Sequence, residues 1–170
     1  MTEASHRIGD PVALTSPGLS RRQEPPALTV VVPCCDEAEV LPRFHARLVP
    51  VMESLGESWD VLYVNDGSTD RTLEVMLALQ AAEPGRVAVL NLSRNFGKEA
   101  ALTAGLDHAA GQAAVIVIDA DLQDPPEVIP ALVACAPSSL PVITLPATLL
   151  RRSARPVWAS SSKASRPTSL

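Results

Sequence analysis

The sequence has few aromatic residues, few cysteines and no long apolar run, and each shortage excludes a class of protein. Aromatic residues make up 3% of the chain against 46% hydrophobic residues, so any core must be mainly aliphatic. Three cysteines with no C-x-x-C pair exclude a disulfide scaffold and argue against a zinc site. No segment has the roughly 18 apolar residues of a transmembrane helix, and no signal peptide is recognisable. We therefore expect a cytoplasmic protein whose cysteines are reduced thiols. We expect this protein either free in the cytoplasm or at the inner face of the membrane.

Acidic residues are missing from the last part of the chain. All 19 lie at or before Glu127, whereas five of the 14 basic residues follow it. The formal net charge of −5 argues against a nucleic-acid partner, which would require a basic surface. Residues 1–26, rich in Pro, Ser and Arg, predict a disordered leader, and residues 135–170 predict an irregular or disordered basic Pro/Ser-rich tail. The predicted folded domain is therefore 27–134.

Within that domain, short apolar runs alternate with segments of helical periodicity. The predicted strands are 28–33, 59–64, 86–92 and 113–118, and the predicted helices are 37–54, 70–82 and 99–110. This alternation predicts an α/β domain, a parallel sheet flanked by helices with right-handed crossovers. Ligands bind outside the carboxyl ends of the strands in such sheets. Acids that follow three of the predicted strands should meet at that edge, namely Asp36, Glu37, Asp66, Asp119 and Asp121.

The segment from Asp119 to Gln123 carries the clearest chemistry. If the strand direction persists, the side chains of Asp119, Asp121 and Gln123 face the same side of the sheet. Oxygen ligands of this kind suit Mg²⁺ or Mn²⁺, and a metal-bound diphosphate is then the natural ligand. The alternative is that Asp124 caps a helix that starts near Pro126 while the other acids are solvated. The expected convergence of acids at one edge favours the metal.

Other residues near the predicted edge each have a structural and a ligand-binding interpretation. Asp66 could form an Asx-turn or bind a nucleobase or ribose, and Glu37 could be a first-turn helix acid or a contact to the same ligand. The positive charge of Lys98 is unfavourable at the start of a helix. A bound phosphate would explain why a lysine is found there, and Arg94 is a similar case. Phe96 is expected in the core.

Four motifs occur in order along the chain. They are Val31-Val-Pro-Cys-Cys-Asp-Glu37, Val64-Asn-Asp-Gly-Ser-Thr-Asp70, Ser93-Arg-Asn-Phe-Gly-Lys98 and Asp119-Ala-Asp-Leu-Gln-Asp-Pro-Pro-Glu127. Over 28–133 the chain resembles family 2 glycosyltransferases with the GT-A fold, especially polyprenyl-phosphate sugar transferases related to dolichol-phosphate mannose synthase. The resemblance implies the N-terminal, nucleotide-binding half of an inverting enzyme of cell-envelope glycan synthesis. Its donor would be a UDP- or GDP-linked sugar and its acceptor a polyprenyl phosphate.

The resemblance also implies roles for particular residues. Asp119 and Asp121 would be catalytic and, with Gln123, would hold a divalent cation, Mg²⁺ or Mn²⁺. The nucleotide sugar would contact Pro33, Cys35, Glu37, Asp66, Lys98, Asp119 and Ala120. Family members usually have an aromatic residue at the Cys35 position, and cysteine lacks that stacking surface for a base.

Several alternatives stay open at this point. The change of composition near Cys135 indicates a truncated or frame-shifted gene end, or else a basic tail that makes peripheral contact with anionic lipid. A catalytically inactive fragment that still binds nucleotide is a second possible function. A receiver-type signalling domain is a third, although it requires an acceptor Asp after the third predicted strand, where the chain has Ser93-Arg94-Asn95.

Overall fold

A computed structural model of the chain describes residues 12–13, 25–111, 113–135 and 142–144. Its strands are β1 (Val12–Ala13), β2 (Leu28–Cys34), β3 (Trp59–Asn65), β4 (Val87–Leu92), β5 (Ala114–Val117) and β6 (Val142–Thr144). Its helices are α1 (Leu41–Ser54), α2 (Thr72–Ala82), α3 (Lys98–His108) and α4 (Ile129–Cys135), the last preceded by a 3₁₀ turn at Pro126–Val128.

The strands form one sheet in the order β1-β4-β3-β2-β5-β6. All neighbouring pairs are parallel except β1 with β4, so the predicted α/β fold with a parallel sheet is confirmed. The chain builds outward from β2 through β3 to β4 and then returns to place β5 on the other side of β2. The strand order reverses at that point, and open sheets bind ligands outside the carboxyl ends of the strands there.

Both faces of the sheet are covered, which explains the unbroken apolar composition of its strands. Successive side chains of β2 point to opposite faces. Val30 and Val32 belong to the cluster that contains Phe44 of α1, whereas Val31 belongs to the cluster that contains Ala101 of α3. The aliphatic core predicted from the scarcity of aromatic residues is therefore present on each side.

Helix α1 starts later than the predicted residue 37. The carbonyl of Glu37 accepts hydrogen bonds from the backbone N–H groups of Val40 and Leu41, which forms a turn before the helix. Pro42 lies in the first helical turn, where its missing N–H costs no hydrogen bond. Pro50 lies inside α1, but the helix continues through it to Ser54.

The prediction of irregular structure in the leader and the tail is wrong for β1 and β6. These strands have two and three residues, too few for any periodic pattern to reveal them, and they form because β4 and β5 offer open edges. Residues 25, 26 and 135 are also described, the last as the end of α4. The remaining residues of both segments, and with them the predicted disorder and lipid contact, lie outside the described residues. Within the described ranges, no helix has the length and hydropathy to cross a bilayer.

Candidate functional site

A cavity of about 250 Å³ lies at the carboxyl ends of β2, β3 and β5. It is lined by Pro33, Cys34, Cys35, Glu37, Asp66, Asn95, Gly97, Lys98, Ala101, Asp119, Ala120 and Asp121. Every residue predicted to contact a nucleotide sugar lies in this wall, whereas Gln123 does not. The parallel topology has therefore brought Glu37, Asp66, Asp119 and Asp121 into one site, whereas Asp36, which was expected with them, does not line the cavity.

Sequence reasoning missed four of the cavity-lining residues, namely Cys34, Asn95, Gly97 and Ala101. Asn95 and Gly97 belong to the motif that follows β4. Because β4 is parallel to β3, its following loop emerges at the same edge as the predicted acids. The parallel arrangement of the strands was therefore enough to predict that this loop contributes residues to the site.

The segment after β5 does not continue as a strand. Leu122 has a left-handed backbone with φ of 63°, so the chain turns there and the alternation of side chains stops. The backbone N–H of Gln123 donates to Asp121 Oδ1 at 2.9 Å, and its side chain is exposed. The expectation that all three side chains share one face is therefore wrong for Gln123, while Asp119 and Asp121 both reach the cavity. Asp124 is not a helix cap either, since the 3₁₀ turn has Pro125 at its N-cap and no side-chain capping bond.

Lys98, the first residue of α3, forms an ion pair with Asp119. Its Nζ lies 2.5 Å from Asp119 Oδ2. About half of the Lys98 side chain is exposed, against 23% of the Asp119 side chain. The pair joins the start of α3 to the segment after β5 in the wall of the cavity.

Asp66 is buried, with 3% of its surface exposed, and its carboxylate organises the neighbouring loop. Asp66 Oδ1 accepts a hydrogen bond from the backbone N–H of Phe96 at 2.8 Å, and Oδ2 accepts one from Gly97 at 3.0 Å. Hydrogen bonds to a carboxylate are stronger than hydrogen bonds between two neutral groups. Asp66 therefore anchors the loop between β4 and α3, in addition to facing the cavity.

Gly67 lets that loop approach closely. Its φ is +62°, and a Cβ atom placed on it would lie 2.2 Å from the carbonyl carbon of Arg94 and 2.2 Å from the nitrogen of Asn95. No side chain fits at that distance. On the cavity side, Asn95 Nδ2 lies 3.2 Å from the Sγ of Cys35, which links the loop to the end of β2.

Asp36 fastens the loop after β2 to the loop after β3. It has φ of 57°, a left-handed conformation that Asp tolerates better than most residues. Its Oδ1 accepts hydrogen bonds from the backbone N–H groups of Thr69 at 2.7 Å and Asp70 at 3.3 Å. The N–H of Glu37 in turn donates to Thr72 Oγ1 at 2.7 Å, so the position of Glu37 in the cavity wall is fixed from α2.

Glu37 is a cavity acid whose pKa is shifted by its surroundings. Partial burial, followed by the nearby carboxylates of Asp121 and Asp119, raises the pKa of Glu37 above its ordinary value. In the unfolded chain Glu37 releases its proton at lower pH. Its contribution to stability is therefore full below that range and is lost as the pH rises through the folded pKa.

Replacing Glu37 by Gln is expected to raise the urea midpoint of unfolding at about pH 7, because it removes a charge that its neighbours repel. The difference from the parent chain should shrink as the pH falls through the raised pKa of Glu37, because the carboxyl then becomes neutral. Glu39→Gln, an exposed change outside the cavity wall, is the control. A midpoint difference that is independent of pH would contradict this account.

The donor set suits a hard divalent cation that arrives with its own phosphate ligands. Among the described residues, no three carboxylate, histidine or cysteine side chains are grouped to hold a metal by themselves. Mg²⁺ sites commonly use one or two carboxylates and complete the shell with substrate phosphates and water. Asp119 and Asp121 meet that requirement, and neighbouring Glu37 adds negative potential.

Phe96 is not in the core, and the expectation that it would be is wrong. It is 44% exposed, and the guanidinium of Arg94 lies 4.8 Å from the centre of its ring. Asp66 holds the backbone of Phe96 at the loop, which leaves the ring outside the packed helices. The two side chains form a cation–π pair beside the cavity.

Comparisons with known proteins identify the family of the chain. Residues 29–167 match the family model described as Glycosyl transferase family 2. The uncharacterized glycosyltransferase YkcC of Bacillus subtilis (strain 168) is 46% identical over 101 residues, which are 59% of this chain and 31% of that protein. The undecaprenyl-phosphate 4-deoxy-4-formamido-L-arabinose transferase of Salmonella paratyphi B is 43% identical over 117 residues, 68% of this chain and 35% of the relative.

The chain thus spans about a third of the length of these curated relatives. Among solved structures, the mannosyltransferase PcManGT from Pyrobaculum calidifontis in complex with GDP-Man and Mn²⁺ is similar. Its TM-score is 0.48 and its identity 26%, with 58% of this chain and 28% of that chain covered.

Proposed function

Because the chain belongs to glycosyl transferase family 2, we propose that its cavity binds a nucleotide sugar together with Mg²⁺ or Mn²⁺. The sugar is then transferred, with inversion, to a polyprenyl phosphate. One observation carries the proposal: Asp119 and Asp121 lie within four residues of the end of β5 and share a cavity with Glu37, Asp66 and Lys98. Acidic side chains at the switch point of a parallel sheet are arranged to hold a cation and a diphosphate.

Each part of the cavity wall has a role in this proposal. Glu37 and Asp66, with Pro33 and Cys35, hold the nucleoside. Asp119 and Asp121 hold the cation, and the ammonium of Lys98 faces the diphosphate. Cys35 offers the base no aromatic surface, so polar contacts must supply more of the binding energy here.

Sugar transfer requires one bond to form and one to break. An oxygen of the acceptor phosphate attacks the anomeric carbon, the bond from that carbon to the diphosphate breaks, and its electron pair leaves with the nucleoside diphosphate. The nucleophile is already anionic, so no strong general base is required. Attack opposite the leaving group inverts the anomeric centre. When bound, the cation supplies positive charge that stabilises the departing diphosphate.

A polyprenyl-phosphate acceptor would place the reaction at a membrane surface. One relative is named as acting on undecaprenyl phosphate, and a lipid of that chemistry presents its phosphate at a bilayer. We place the reaction at the cytoplasmic face, where the basic residues after Glu127 would favour anionic lipid. An assay with polyprenyl phosphate in anionic vesicles measures transfer and vesicle binding in one preparation.

Isothermal titration of the full chain with UDP-sugars and GDP-mannose tests the proposal directly. We expect one of these donors to bind in the presence of Mn²⁺ and to lose most of its affinity when EDTA removes the cation. Equal affinity with and without the cation, or no binding of any such donor, would contradict the proposal.

A second candidate function differs from the first only in its last step, the transfer of the sugar. Nucleotide binding without sugar transfer is the alternative. Donor binding without either donor hydrolysis or transfer to polyprenyl phosphate would favour that alternative.

A further inference from the structure

Lys98 is the only cationic side chain among the described residues that line the cavity, and four carboxylates share that wall with it. Its ammonium does not point freely into the cavity. It lies 2.5 Å from Asp119 Oδ2, on one of the two carboxylates that the proposed function assigns to a divalent cation. The same oxygen cannot serve both partners at full strength, because the two positive charges would repel each other at that separation.

The fold holds the backbone just before Lys98 but encloses only half of its side chain. The N–H of Gly97, the preceding residue, donates to the buried carboxylate of Asp66. The Lys98 side chain itself is 51% exposed and reaches Asp119 through four flexible methylene groups. A short movement of the ammonium therefore suffices to exchange Asp119 for another anion in the same cavity.

The positive charge of Lys98 at the start of α3 requires a compensating interaction. Lys98 is the first residue of α3, where the helix dipole disfavours positive charge. The neighbouring carboxylates offset that cost in the cavity without ligand, and a diphosphate would offset it once bound. Lys98 has an anionic partner in both states. The Asp119 oxygen, however, is free to bind a cation only when the diphosphate has become that partner.

We infer that Lys98 makes divalent-cation binding depend on the nucleotide diphosphate: it occupies Asp119 until a diphosphate takes over its ammonium. This inference rests on the proposed function and adds to it an order of assembly. A cation that enters alone must break the ion pair, whereas one that enters with a diphosphate meets a released carboxylate. By linkage, the cation must strengthen nucleotide binding by the same factor.

The test is the affinity of Mn²⁺, measured by electron paramagnetic resonance with and without UDP, and with GDP in a parallel series. In the parent chain, Mn²⁺ alone should bind weakly, and the nucleotide should strengthen its binding by about tenfold or more. In Lys98→Met, Mn²⁺ alone should bind about tenfold more tightly, while nucleotide affinity at saturating Mn²⁺ should fall by about tenfold. A general loosening of the fold would weaken both affinities, so opposite changes identify the exchange.

Arg94→Met is the matched control. It removes one positive charge from the loop that precedes Lys98, but Arg94 lies over the ring of Phe96 and does not line the cavity. Its effect on Mn²⁺ alone should stay within about twofold, because exposed charges at longer range are screened. Equal tightening in both variants would show that only net charge matters and would overturn the inference.

Two further outcomes are decisive. If the parent chain binds Mn²⁺ with nucleotide but Lys98→Met leaves the affinity for Mn²⁺ alone unchanged or weaker, the inference is wrong and the proposed function stands. If the parent chain binds neither nucleotide in the presence of Mn²⁺, the proposed function itself fails.

Discussion

Replacing Asp121 by Asn is expected to weaken Mn²⁺-dependent nucleotide binding by about a hundredfold, the upper end of what disturbing a metal site costs even beyond the direct ligands. That factor corresponds to about 2.7 kcal/mol. Asn keeps the oxygen that accepts the N–H of Gln123, so the turn after β5 should persist. What it removes is the negative charge, which a hard cation requires from its ligands.

The same substitution should act in the opposite direction on stability. The Asp121 carboxylate helps to raise the pKa of Glu37, so removing its charge relieves a repulsion in the chain without ligand. We expect the urea midpoint at neutral pH to be unchanged or higher, while binding is lost. A loss of binding together with a lower midpoint would indicate damage to the fold instead.

Asp124→Asn is the control for this prediction. It makes the identical chemical change three residues further on, at a carboxylate outside the cavity wall. Titration with the same nucleotide and Mn²⁺ should show parent-like affinity. Similar losses in both variants would disprove the assignment of Asp121 as a cation ligand.

Replacing Gly67 by Ala is expected to destabilise the chain by about 2–5 kcal/mol, from left-handed backbone strain and overpacking together. Its Cβ atom would lie 2.2 Å from backbone atoms of both Arg94 and Asn95. Backbone cannot move aside as a flexible side chain can, so the whole loop between β4 and α3 must shift. That loop contributes Asn95 and Gly97 to the cavity wall and leads into Lys98, so nucleotide affinity should fall as well.

Gly56→Ala separates strain from contact. Gly56 also has a positive φ, +71°, but a Cβ there meets nothing within 4 Å. Its cost should be the conformational strain alone, about 1–2 kcal/mol, with nucleotide affinity unchanged. Urea unfolding and titration of both variants measure the difference, and equal effects would show that the approach of the loop to Gly67 is unimportant.

The corrections share one physical origin. Phe96 looked like a core residue from its type, yet its backbone is held by a carboxylate 30 residues away, which keeps the ring outside the helices. Gln123 looked like a third ligand from its spacing, yet the left-handed turn at Leu122 ends the alternation. Residue type and spacing report local preferences, and both outcomes depended on contacts or turns that those preferences do not contain.

The sequence by itself determined the parallel α/β fold and the edge at which Glu37, Asp66, Asp119 and Asp121 meet. Apolar periodicity and short loops are local properties, and in a parallel sheet they place every strand's carboxyl end on one side. Only the tertiary structure decided that Asp66 anchors the neighbouring loop and that Lys98 occupies Asp119. Those contacts join loops that are distant in sequence, and their geometry follows from how closely the loops approach, as at Gly67.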